Sequence, residues 1–209
     1  RWPNHITEGN RTDALVQYAD ILPTLVDLAG GNPKAYPYDG RSFKASLLNN
    51  TNKHRKFVYG IHNNIPEGPP YPIRSVSDGE YHYIRNLLPA EIYMEKHLMG
   101  TRGNGSLNNP YWSTWIWDSW NTPRTYRLVK RFMHRPAEQL YNINYDPYEM
   151  NNLANSKEHY KQLTKLRGEL DKWMNVQKDP GATVDTIEAI QASRKNKHLH
   201  GQDATKSIR

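Results

Sequence analysis

A guanidinium beside a proline-rich loop is the first arrangement in this sequence with evident chemistry. Arg74 closes Tyr71-Pro72-Ile73-Arg74, just after the loop from Asn64 to Pro72. Its planar fork would make a bidentate pair with a sulfate or carboxylate ligand, or else with an Asp or Glu of the same chain. His62 directly follows the apolar run 57–61, and Asn63 and Glu67 share the loop beyond it. Loops at strand ends carry binding residues, so all three are candidate substrate contacts, with a satisfied or exposed histidine as the alternative for His62. Farther on, Trp112, Trp115, Trp117 and Trp120 crowd one short stretch. They would form either a sugar-stacking platform over a pocket mouth or core filling beneath a long loop. The substrate-binding candidates are therefore His62, Asn63, Glu67, Arg74, Trp112 and Trp115. His5, His54 and His82 lack zinc-type spacing, and the absence of cysteine rules out thiolate metal sites, a disulfide framework and a cysteine nucleophile in these residues.

Composition narrows the partners without choosing one. Lys and Arg number 28 against 21 Asp and Glu, a net charge of +7 that favours anionic partners: nucleic acid, phosphate, or sulfated and carboxylated sugars. The 14 Tyr, 6 Trp and 3 Phe supply faces that stack on sugars and bases alike. A length of 209 residues suits one large domain, or a domain with an appendage. The longest apolar runs, such as residues 25–29, fall far short of the roughly 18 residues of a membrane span, so none is expected. The opening residues lack the apolar core of a signal peptide, which a processed chain would have lost, and export stays open.

Several elements must position these groups. Behind a cap at Thr12-Asp13, Leu15, Ala19, Leu22, Val26 and Ala29 recur at helical spacing up to Gly30-Gly31, and Pro23 predicts two short helices or a kink. Residues 57–61, 71–76, 80–85 and 139–143 read as strands, and Asp78-Gly79 as a tight hairpin. Residues 88–136 lack steady periodicity and read as a long Trp-rich insertion. Beyond Ser156, a cap, the stripe Leu163, Leu166, Leu170, Trp173 and Gln177 predicts an amphipathic helix of about five turns. Asp146, Glu149 and Asn152 are expected to fix the turn before it through side-chain to backbone bonds.

Several blocks in this order carry a family likeness. Arg1-Trp2-Pro3, Gly9, Asp20-Ile21-Leu22-Pro23-Thr24-Leu25, Leu28-Ala29-Gly30 and Asp39-Gly40-Arg41-Ser42-Phe43 resemble the closing stretch of the sulfatase catalytic domain. Tyr71-Pro72-Ile73-Arg74, Asp78-Gly79, Tyr83-Ile84-Arg85-Asn86, Glu138-Gln139-Leu140-Tyr141-Asn142-Ile143, Asp146-Pro147, Glu149 and Asn152-Leu153-Ala154 resemble that family's carboxy-terminal sheet and helix. His62-Asn63-Asn64 and the long insertion look most like the branch related to heparan N-sulfatase (sulfamidase). The resemblance implies an α/β alkaline-phosphatase-like architecture, α+β for these residues themselves: the end of the catalytic domain in 1–50, an antiparallel sheet packed on a carboxy-terminal helix in 51–177, and a basic polar tail in 178–209. It also implies a formylglycine nucleophile made from Cys or Ser in a Cys/Ser-x-Pro-Ser-Arg motif, with calcium held by Asp or Asn beside it. Neither motif occurs here, so formylglycine and calcium are expected in a preceding part of the enzyme. No catalytic residue and no metal ligand is expected in this chain.

Two functions follow. One is the carboxy-terminal portion of a sulfatase acting on sulfate esters or N-sulfate groups of an anionic glycan. Its partners would be the amino-terminal part of the same enzyme and a sulfated glycan, and residues 13–30 would offer an apolar docking surface. The other is a basic, aromatic module that binds acidic polysaccharide or nucleic acid without chemistry. The resemblance favours the first, makes nucleic acid the lesser partner, and implies a periplasmic or secreted protein, lysosomal in a eukaryote. N-x-Ser/Thr triplets begin at Asn10, Asn49 and Asn104 and would matter only in a eukaryotic secretory pathway.

Overall fold

The computed structural model describes residues 2–48, 51–65, 68–100, 109–184, 186–188 and 191–192. In chain order the elements are α1 (Ile21–Leu28), α2 (Lys44–Leu47), β1 (Val58–His62), β2 (Ile73–Ser77), β3 (Tyr81–Asn86), α3 (Lys96–Met99), α4 (Pro110–Ser119), α5 (Pro123–Met133), β4 (Glu138–Asn142) and α6 (Tyr160–Val176). The strands pair in sequence order into one four-stranded sheet. It is antiparallel: the Asn86 N–H donates to the Ala137 carbonyl while the Ile143 N–H donates to the Glu80 carbonyl. The β2–β3 hairpin forms at the expected place. Gly79 takes a φ of 91°, which a side chain would strain, and Asp78 Oδ1 accepts the N–H groups of Glu80 and Tyr81 at 3.2 and 2.8 Å.

The described residues divide into two compact units, one from 1–59, 76–83 and 140–167, the other from 60–75, 84–139 and 168–209. In the first, Val76, Tyr81, Tyr83, Leu140, Tyr141, Leu163 and Leu166 form the core. Of the two short helices expected, a short turn and a helix starting just after Asp20 form, while residues 13–17 are not helical. Leu15 is extended and bridges Arg55, a 3-10 turn covers Tyr18–Asp20, and α1 follows directly. Pro23 thus falls in the first turn of α1, where a missing N–H costs no helical bond, and the helix is not interrupted. Helical spacing over residues 13–20 was misleading because the backbone there is spent on a bridge and a buried carboxylate.

That carboxylate is Asp20. It is fully buried and accepts the Gln17 N–H (2.9 Å), the Arg41 N–H (2.9 Å), Arg55 Nε (2.7 Å) and Nη2, and sits 3.2 Å from His54 Nε2. Thr24 Oγ1 donates to the Asp20 carbonyl at 2.6 Å and accepts the Phe43 N–H at 3.0 Å. Gly40 lies so close that a Cβ there would stand 1.7 Å from the Ala19 carbonyl oxygen. The two blocks around Asp20 and Gly40-Arg41-Ser42 are therefore one polar knot.

Near the end of this unit, Asp146 accepts the N–H groups of Met150 and Asn151, and Asn152 Oδ1 accepts those of Leu140 and Ala154. The Glu149 carboxylate meets His82 Nδ1 at 2.5 Å, tying this turn to β3. Ser156 starts a turn with its Oγ 2.9 Å from His159 Nδ1, and α6 begins at Tyr160.

In the second unit, the described residues of 88–136 form more helix than their sequence pattern predicts. They hold α3, α4 and α5, the last two forming a helical hairpin. Each hairpin helix opens with a polar N-cap and a proline at its start, Asn109-Pro110 and Thr122-Pro123. The aromatic core joins Tyr71, Tyr93 and Phe132, with ring centroids 5.3 Å apart for Tyr71 and Tyr93 and 5.4 Å for Tyr93 and Phe132. Arg135 lies over the Tyr93 face at 3.9 Å.

Candidate functional site

Arg74 projects from β2 into the interior of the second unit, where only 1% of its surface stays exposed. Such a cation needs a counter-ion and a full set of acceptors. It has both. Nε and Nη2 grip the two carboxylate oxygens of Asp179, the latter at 2.9 Å, while Nη1 donates to Asn63 Oδ1 at 3.0 Å and to the Ile73 carbonyl at 2.9 Å. The hydrogen bond from Arg74, outweighing the burial that opposes it, holds the Asp179 carboxyl below its usual range. Of the two pairings open to Arg74 in the sequence, the one with an acid of the same chain is formed. Its partner lies in Asp179-Pro180-Gly181, just beyond α6, within the stretch expected to be tail.

The loop after β1 is anchored by Asn64, whose Nδ2 donates to the carbonyls of Pro69 and Met94, both at 2.7 Å. Gly68 has no room for a side chain, since its Cβ would lie 2.0 Å from the Met94 carbonyl oxygen. His62 stands at the end of β1 with its ring 5.9 Å from that of Tyr93. Its Nε2 is buried without a hydrogen-bond partner among the described residues. A buried, unmatched ring nitrogen carries a desolvation cost, so His62 is a group in this loop with hydrogen-bonding capacity left. Asn63 is exposed, with its amide oxygen committed to Arg74. Glu67 lies outside the described residues.

The tryptophans part company. Trp112 turns inward, its ring 5.5 Å from Phe132 and 6.0 Å from Trp115, so core filling describes it. Trp115 is half-exposed on the outer side, whereas Trp117 and Trp120, paired with each other at 5.7 Å, are 68% and 77% exposed. The first unit has its own open cavity of about 1130 Å³, lined among others by Arg41, Lys53, His54, Lys56, Asp78 and Lys165. On the same unit, α1 and the turn before it expose Tyr18 (91%), Leu22 (56%) and Leu25 (57%) along with Val16 and Ile21.

Sequence reasoning missed Asp179 as the counter-ion of Arg74 and the outward placement of Trp117 and Trp120. The turn signature at Asp179 was visible, but its partner is 105 residues away and no local pattern links them. Among the described residues no group of three His, Cys, Asp or Glu side chains converges as a cation site, and the sequence has no cysteine. The arrangement can support and bind, with a histidine at a strand end and a basic, aromatic surface.

No family model matches the chain. It is 31% identical over 183 residues to an ulvan-active sulfatase of Formosa agariphila, covering 86% of this chain and 32% of the relative. A second ulvan-active sulfatase of the same organism is 28% identical over 185 residues, with 83% and 28% covered. Among solved structures, a protein in complex with its substrate D-glucosamine-2-N,6-O-disulfate aligns with a TM-score of 0.55 at 20% identity, over 87% of this chain and 28% of that one. A Bacteroides fragilis protein assigned as a sulfatase, YidJ, aligns with a TM-score of 0.50 at 18% identity, over 89% and 30%. These two bear on the fold alone, the mixed helices and small antiparallel sheet described above. This chain is thus similar, along most of its length, to a part of sulfatases that amounts to about a third of the relatives it matches.

Proposed function

We propose that this chain is the carboxy-terminal portion of a sulfatase that releases sulfate from esters or N-sulfate groups on an anionic glycan. The reading is carried by the likeness over 86% of the chain to 32% of an ulvan-active sulfatase. The larger part of that relative has no counterpart in these residues, and it is there that the formylglycine nucleophile and the calcium belong. The exposed face of α1 and of the turn before it supports the division: Tyr18, Leu22 and Leu25 form an apolar surface of the kind that docks another structural layer, here the preceding part of the same enzyme. In this assembly the loop with His62, Asn63 and Glu67 borders the glycan, and Arg74 acts from behind by fixing Asn63. The net charge of +7 suits a sulfated polymer, and such a substrate suits an enzyme exported to the periplasm or beyond. The sulfamidase-like block at His62-Asn63-Asn64 favours N-sulfoglucosamine within that class.

The test uses the longest polypeptide that carries these residues. Sulfate release is followed from a nitrophenyl sulfate, an O-sulfated glycan and N-sulfoglucosamine, with calcium and after chelation. Calcium-dependent release is expected, with His62→Ala raising KM for the glycan substrates more than for the nitrophenyl ester. A folded polypeptide that releases no sulfate from any of the three, calcium present, would refute the reading.

A further inference from the structure

The α4–α5 hairpin has features that neither docking in a core nor general solubility accounts for. Its helices pack through Trp112, Ile116 and Ser119 on one side and Thr125, Val129 and Phe132 on the other, which share one face of each helix and are half-buried. What remains outside is unusual. Trp117 and Trp120 are mostly solvent-exposed at the end where the chain turns into α5, and Arg124, Arg127 and Lys130 line the exposed surface of α5. Between Pro110 and Met133 there are four cations, Arg124, Arg127, Lys130 and Arg131, against one acid, Asp118, a balance of 4 − 1 = +3. That acid is already committed, since Asp118 Oδ1 accepts from Thr122 at 2.8 Å and Oδ2 from Thr125, fastening the start of α5.

We infer that the outer surface of this hairpin binds an anionic polysaccharide, with sugar rings against Trp117 and Trp120 and sulfate groups against Arg124, Arg127 and Lys130. The proposal rests on the sulfatase reading for its choice of a sulfated polymer, and it places a second glycan contact away from the loop that holds His62. Charge complementarity favours this occupant, because the hairpin offers three exposed cations and no free carboxylate. A bilayer fits less well. At 100° per residue, Trp117 and Trp120 emerge on one flank of α4 and Tyr111 and Trp115 on the other, with the packed face between them. An interfacial helix instead gathers its apolar groups on one face. A glycan chain needs only individual ring faces, with cations elsewhere on the same hairpin.

The experiment measures binding of the longest polypeptide carrying these residues to dextran sulfate, carboxymethyl dextran and dextran, over a range of salt concentrations. Dextran sulfate is expected to bind, carboxymethyl dextran more weakly and dextran not at all. Trp117→Ala with Trp120→Ala should weaken dextran sulfate binding about tenfold or more while leaving the salt slope unchanged. Arg124→Gln with Arg127→Gln and Lys130→Gln should make the salt slope shallower by about one for each charge removed. Wild-type affinity in both variants overturns the proposal. So does a Trp variant that melts several degrees lower yet binds normally, because the rings are then covered by another part of the molecule. Equal capture by vesicles of anionic phospholipid, lost in the same variants, overturns it in favour of a membrane. Hydrolysis of a nitrophenyl sulfate by the wild type tests the sulfatase reading on its own: no hydrolysis with polysaccharide binding intact removes that reading and leaves this one standing.

Discussion

Replacing Asp179 by alanine leaves Arg74 as a buried guanidinium with no counter-ion. Arg74 is 1% exposed, and two of its nitrogens lose their only acceptors with the carboxylate. Among the described residues, Asp179 is the acid paired with it. Breaking one side of a buried pair costs about 3–5 kcal/mol, because the stranded charge keeps its full desolvation penalty. For a chain of this size that corresponds to a melting midpoint lower by about 6–20 °C. Urea and thermal unfolding of Asp179→Ala, Arg74→Met and the double variant Arg74→Met/Asp179→Leu form the assay. The first should be the worst, and the double variant should recover much of the loss, since an apolar pair of similar volume carries no desolvation cost. The pH dependence has a definite sign. Arg74 holds the folded-state pKa of Asp179 below its unfolded value of about 3.9, so the contribution is present above that pH and is lost as pH falls through the folded value. Asp179→Asn should remove that dependence. A midpoint within 2 °C of wild type in Asp179→Ala, or no recovery in the double variant, would mean that the pair does not anchor this part of the fold.

Asp20→Ala should cost about as much, since Arg55 and the Arg41 and Gln17 N–H groups all lose their shared acceptor; unfolding in urea measures it. Gly40→Ala should abolish the folded state of the amino-terminal segment, because its Cβ would stand 1.7 Å from the Ala19 carbonyl oxygen; limited proteolysis around residues 39–43 reports the outcome. Leu22→Asp with Leu25→Asp should change the chain's own stability by no more than about 0.5 kcal/mol, since both side chains are largely exposed, yet abolish its association with the preceding part of a sulfatase. Burial, outweighing the attraction of Asp20, lowers the His54 pKa. The unfolded chain therefore binds more protons than the folded one below about pH 6.5, and stability should fall as pH drops through that range. His54→Gln should flatten this dependence in melting curves recorded between pH 5 and 8.

How far the sequence reveals the fold depends on how local the cause is. The hairpin at Asp78-Gly79 was legible because two adjacent residues determine it, and all four strands fall within two residues of their expected positions. α6 was legible from its Leu163, Leu166 and Leu170 stripe, although a turn tied by Ser156 and His159 delays its start. α5 was missed although its apolar residues keep a helical period, and α4 was missed for a physical reason. Tryptophans emerge from several sides of α4, so its apolar positions show no single period. The usable signal was the pair of caps, Asn109-Pro110 and Thr122-Pro123, which mark two helix starts independently of periodicity. Of the candidate site, the loop of His62 and Asn63 was placed by its neighbours, while the fate of Arg74 was undecidable because Asp179 is distant in sequence.

Several residues of the likeness blocks are committed inside the chain while other groups keep chemistry to offer, and this contrast bears on where specificity is written. Asp20, Thr24 and Gly40 form the knot of the first unit, Arg74 is locked to Asp179, and Asn152 fastens the backbone beyond β4. Each is buried or hydrogen-bonded within the chain, so each fixes the position of something else. Among the described residues, groups left uncommitted include the Nε2 of His62, the exposed apolar side chains of α1, and the exposed Trp117 and Trp120 rings. A likeness that rests on the knot reports how the scaffold is built, not which sugar it meets. Exchanging the α4–α5 hairpin with that of a relative should therefore change polysaccharide preference with little change in stability. Exchanging the segment from Asp20 to Ser42 should do the reverse, because its Asp20–Arg55 and Asp20–His54 ties must be remade by the host. The two chimaeras, compared by melting midpoint and by polysaccharide affinity, separate scaffold from recognition.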